Sequence, residues 1–143
     1  SALKVLLRRG FVTGEDEIRD SKKITTIYTI KAEGKRYLRE MVEECLTLSN
    51  TATEYWLGIS FMFGTTRSFV ISALLKKIEH LQEDLLIAEN WSDVLDESDT
   101  DIPCNYQHLI RVHRRCLSST LDELIILRKR IMNGEDRGFF LAE

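Results

Sequence analysis

Two stretches of about thirty residues, near 66–95 and 103–133, carry an unbroken helical pattern with apolar side chains down one edge. In the first, Ile71, Leu74, Ile78, Leu81 and Leu85 step by 3, 4, 3 and 4, which is a heptad seam. In the second, Tyr106, Leu109, His113, Cys116, Thr120, Leu124, Leu127 and Ile131 make a less pure seam, widened by Ile110, Leu117, Leu121 and Ile125. An α-helix rises about 1.5 Å per residue, so each rod reaches ~45 Å. A compact fold of 143 residues has a radius of gyration of only about 15 Å. Rods of this length leave their seams wet unless something packs on them. A second copy is the expected cover, giving a symmetric homodimer with Ile71, Leu74, Ile78, Leu81, Leu85, Leu109, Leu117 and Leu124 at its interface. The alternative is that the rods fold back on each other, and on the helix before them, as a self-sufficient bundle.

Ahead of the rods the periodicity changes twice. Ala2 to Arg9 reads as the last turns of a helix, with Leu3, Leu6 and Leu7 on one side. Arg8 and Arg9 stand where cations favour a helix C-terminus, and Gly10 suits a left-handed cap. A chain that opens inside an amphipathic helix is expected to be the remainder of something longer. Strand-like pieces follow, from Phe11 to about Arg19 and from Lys23 to Ile30, joined by the turn chemistry of Asp20 and Ser21. The result is a hairpin with a charged, partly basic tip. After Ile30 the period lengthens to about 3.6: Tyr37, Leu38, Met41, Val42, Cys45 and Leu46 stripe a helix over about 32–48, whose first turn Gly34 weakens. Thr51 and Glu54 form a capping-box signature for a helix over about 51–63. Its apolar residues, from Tyr55 to Phe63, go nearly all the way round and predict enclosure on several sides. The rods are separated by an acidic connection, Asp96 to Asp101, and Pro103 fits a helix start. Gly134 is placed to cap the second rod; the tail 135–143 is expected to fray, or to dock on a neighbour through Phe139, Phe140 and Leu141.

Composition excludes several classes. At 43% hydrophobic and 30% charged the chain has a globular balance and not a disordered one. No apolar run approaches the ~18 residues that span a bilayer, so no membrane partner is expected. Three cysteines at irregular spacing make no disulfide framework and fit a reducing cytoplasm. The formal charge of −3 hides an asymmetry: residues 1–40 carry +4 and residues 41–143 carry −7. A polyanionic partner would therefore meet the first third.

Catalysis finds no support. There is no P-loop, G-x-G-x-x-G, G-x-S-x-G or H-E-x-x-H, and no enzymatic activity or cofactor is expected. Cys104, His108, His113 and Cys116 invite a metal reading. At about 100° per residue, however, they spread around one helix too widely to share an ion, so no metal is assigned. The aromatics Trp56, Phe61, Phe63 and Trp91 are candidates to line an apolar pocket between helices for a flat, small aromatic effector.

Order is the informative feature of the first third. Helix, glycine, strand, basic-tipped turn, strand and helix is the second half of a winged helix, in which the hairpin lies along the phosphate backbone. Lys4, Arg8, Arg9, Arg19, Lys22 and Lys23 are the cations placed to contact DNA. The stretch Leu3 to Val12 (LKVLLRRGFV), then Ile27 to Ile30 (IYTI), then Gly34 and Leu38 resembles the PadR-type transcriptional regulators. Similarity continues through the apolar helix, the leucine-rich helix, the acidic loop and a last helix ending in Asn133 and Gly134.

The resemblance implies a homodimeric DNA-binding repressor in the cytoplasm, mainly α with a small β-hairpin. It would comprise a partial winged helix and linker helix (1–48), a long-helix dimerisation bundle (49–134) and a tail (135–143). In the family the winged helix begins with roughly forty more residues, which here are absent. Lys31 also stands where a threonine is usual, which alters capping of the following helix. A MarR-like regulator shares the wing pattern. A helical protein-interaction module without DNA binding is the alternative from another class.

Overall fold

The change of period at Ile30 marks a physical boundary in the computed structural model, which describes residues 2–18, 24–49, 51–97 and 103–142. The chain is mainly α-helical with one two-stranded antiparallel sheet. The order is α1 (Ala2–Arg8), β1 (Val12–Ile18), β2 (Ile24–Ile30), α2 (Ala32–Thr47), α3 (Ala52–Ser60), a 3-10 turn (Met62–Gly64), α4 (Arg67–Glu97) and α5 (Cys104–Met132). Among the described residues no helix is long and apolar enough to cross a membrane.

Backbone chemistry sets the ends of these elements. Gly10 adopts φ +74°, and the amides of Gly10 and Phe11 donate back to the carbonyls of Leu7 and Leu6, each at 3.0 Å, so α1 closes in a Schellman motif. Gly134 repeats the motif at the end of α5, with φ +79° and bonds from Gly134 to Ile131 and from Glu135 to Arg130. Thr51 caps α3 by accepting from the Glu54 amide at 3.2 Å. Lys31, at the N-cap of α2, provides no side-chain cap.

Two compact units result. The first runs to Thr66 and regains Phe140–Ala142; the second is Arg67–Phe139. Helix α3 packs on α2 and lies in the same unit. Gly58 makes that packing possible: a Cβ there would stand 3.0 Å from Cys45 and 3.1 Å from Leu46. Within the same unit the hairpin base is fastened to α2. Phe11 stacks on Tyr37 with centroids 4.6 Å apart, and the Lys31 amide donates to the Phe11 carbonyl at 2.9 Å. Gly34 is buried in this joint, where a Cβ would come within 2.2 Å of the Phe11 carbonyl oxygen. Gly34 therefore serves close packing and is more than a weak helical residue.

In the second unit α4 and α5 pack against each other. Leu74, Ile78, Leu81, Leu117 and Leu124 are buried within this single chain, and Ile71 and Leu85 are partly buried. Seven of the eight residues expected at a dimer interface are thus buried or partly buried within one chain, and Leu109 is exposed. Helical spacing reports that a face is apolar without specifying which helix covers it. Enclosure was expected around the helix over about 51–63; among the described residues Trp56, Leu57 and Phe61 are exposed. The tail docks on its own chain through Phe140 and Leu141.

Candidate nucleic-acid interface and effector groove

The cations of the first unit are sorted by the fold. Lys4 and Arg8, four residues apart, share one exposed face of α1. Arg9 is exposed in the turn that leads into Gly10, its amide bonded to the Val5 carbonyl at 3.0 Å. Arg19, Lys22 and Lys23, expected at the hairpin tip, lie outside the described residues.

Between the helix end and the tip the hairpin is acidic. The strands pair in register from Val12↔Ile30 to Ile18↔Ile24, placing Glu15 and Glu17 on the same face as Thr13, opposite Ile27 and Thr25. Asp16 faces the other way and accepts the Thr26 hydroxyl at 2.7 Å. Among the described residues the two strands thus bear three carboxylates and no cation. A count confined to cations overlooks this: along 12–18 the acidic residues are plain in the sequence. Gly14 sits across from Tyr28, whose ring would lie 3.3 Å from a Cβ at that position. The aromatic ring thereby covers the strand where the glycine has no side chain to offer.

Behind the hairpin, α2 carries a partly buried polar joint. The Thr65 hydroxyl donates to Glu43 Oε1 at 2.6 Å and the Arg39 guanidinium to the same oxygen at 2.9 Å. Burial by itself would raise the Glu43 carboxyl; the bond from Thr65, followed by the bond and charge of Arg39, outweighs it and holds the group below the ordinary carboxylate range. Burial pushes the Tyr55 phenol up to about 12.

The four aromatics proposed to line one pocket fall in different surroundings. Trp56 is exposed and meets Tyr55 edge-on at 6.1 Å. Phe61 lines a small apolar cleft between α2 and α3, about 190 Å³, with Leu38, Met41, Val42, Cys45, Leu57 and Gly58. Phe63 packs against Phe140, with centroids 4.9 Å apart. Trp91 lines a larger groove between α4 and α5, about 450 Å³, with Asp84, Ile87, Ala88, Ile110 and His113.

That groove lies within the 300–1,000 Å³ common for small-molecule sites, and Trp91 keeps 59% of its surface exposed beside it. Its floor is aliphatic, and Asp84 and His113 are its charged or titratable members. Among the described residues no group of three His, Cys, Asp or Glu side chains is placed to hold a metal ion. The chain matches no protein-family model, no curated protein and no solved structure.

Proposed function

We propose that the protein is a DNA-binding transcriptional regulator of the PadR type, a repressor working as a homodimer. The observation that carries the reading is the run of α1, a left-handed Gly10, an antiparallel hairpin and α2, with exposed cations on α1. In a winged helix that order sets a recognition helix beside a wing on the phosphate backbone. Lys4, Arg8 and Arg9 would neutralise phosphates at the base of the wing, and Arg19, Lys22 and Lys23 at its tip. The carboxylates of β1 confine phosphate contact to those two ends.

With the seam of α4 occupied by α5, a second copy would cover the apolar residues left outside: Ile87, Trp91, Val94, Leu109 and Val112 are all exposed. A small aromatic effector in the α4–α5 groove would compete with that contact through Trp91, which belongs to both.

The test is a titration with fluorescent duplex DNA at low and moderate salt. Affinity should fall with salt, and Lys4→Glu with Arg8→Glu should weaken binding and flatten the slope by about 0.9 per lost phosphate contact. A second reading, a protein-interaction module, is favoured by the acidic strand β1 alone. Absence of duplex binding even at low salt would decide for it.

A further inference from the structure

We propose that residues 134–142 form a releasable strap, latched by the Arg67–Asp136 ion pair and docked through Phe140 and Leu141 on the segment Met62–Thr66. The latch lies where α4 begins. The Arg67 guanidinium donates to the Ile131 carbonyl from Nε at 3.2 Å and from Nη2 at 2.6 Å, and to Asp136 Oδ1 at 2.7 Å. The Asp136 side chain is 5% exposed, so its charge depends on Arg67 for compensation. One cation thus holds both the last turn of α5 and the residue that starts the tail.

On either side of the latch residue the tail turns sharply. Gly134, Arg137 and Gly138 all have positive φ, and for Arg137, at 53°, this is an unfavoured conformation that the surroundings must impose. The docked end makes contacts of its own. Phe140 meets Phe63 edge-on, the Leu141 amide donates to the Thr65 carbonyl at 3.2 Å, and Thr66 and Leu141 form a parallel bridge. Phe139 is 65% exposed and Leu141 37%, and such exposure beside a firm latch is the physical signature of a segment that opens locally, at a free energy below that of global unfolding.

Opening has a defined consequence. It bares Phe63 and takes the Leu141 amide from the Thr65 carbonyl, while the hydroxyl of that same threonine is bonded to Glu43 on α2. The strap and α2 therefore meet at Thr65, which makes the tail a lever on the helix that follows the hairpin. This does not depend on what the hairpin binds.

Hydrogen exchange followed by mass spectrometry on the intact protein tests the proposal, comparing it with Asp136→Ala and Phe140→Ala. The Leu141 amide should exchange at least ~10-fold more slowly than in a free peptide of the tail, and each substitution should abolish most of that protection. Amides of Leu74–Leu81 and Leu117–Leu124 should change by less than about twofold. Tryptic cleavage after Arg137 should accelerate in Asp136→Ala. The proposal is overturned if Leu141 already exchanges at the free-peptide rate. It is equally overturned if Asp136→Ala leaves Leu141 unchanged, or if the amides of α4 and α5 accelerate along with it, which would make the pair a helix-end brace. Phe140→Ala leaves the latch intact and keeps the docking half of the test available should the first variant fail to fold.

Discussion

Thr65 is fully buried, yet its polar atoms face two different parts of the chain, the hydroxyl toward Glu43 and the carbonyl toward Leu141. Thr65→Val keeps the shape and removes the hydroxyl alone. It should cost about 1–3 kcal/mol in urea unfolding, because Glu43 loses one of two donors. Glu43 also gives a pH dependence whose sign is fixed. Its folded-state value lies below the ordinary 4.5, so its contribution is complete above that pH and disappears as acid carries the solution down through the folded-state value. Glu43→Gln should flatten stability against pH in that acidic window and leave the slope near neutrality unchanged. Neither residue was legible beforehand. Glu43 borders the apolar stripe of α2 and reads as a solvated charge, and its partner lies 22 positions away.

At the level of elements, local signals were readable wherever the chain's own backbone supplies the partner. Gly10, Gly134 and the Thr51–Glu54 pair mark ends by bonds within a few residues, and the structure places caps at all three. Long-range use of a residue escaped the same reading. Gly34 has poor helix propensity, which suggests a soft first turn, whereas its value lies in the absent side chain beside the Phe11 carbonyl. Gly34→Ala should therefore destabilise by about 1–3 kcal/mol, although alanine is the better helix former, measured as a shift in denaturant midpoint. The heptad seam of α4 was correctly apolar, but its cover proved to be α5. Leu124→Ala, at a position 1% exposed, should cost about 2–5 kcal/mol even in dilute protein, where a dimer-only contact would cost nothing.

On the scale of the whole molecule, charge and exposed apolar surface govern what the protein meets. Ile78→Asp puts a charge into the α4–α5 core, so its expected product is an unfolded helical pair and not a folded monomer; circular dichroism distinguishes the two. Leu109→Glu, on exposed surface, should instead leave helicity intact and lower the sedimentation coefficient if two copies associate there. Glu15→Gln should tighten duplex binding a few-fold at low salt, as a like charge is withdrawn from beside the phosphates. If Glu15→Gln has no effect, the body of the hairpin stands away from DNA. The mainly helical class and the hairpin were visible from period alone. The division into units was not, because a segment from the far end of the chain completes the first one.

That last arrangement has a bearing on biosynthesis. Phe140–Ala142 are synthesised only after α4 and α5, so the unit that carries the hairpin gains its last residues only once the whole helical pair has been made. A change at Phe140 or Leu141 would then be felt first in the unit that carries the hairpin.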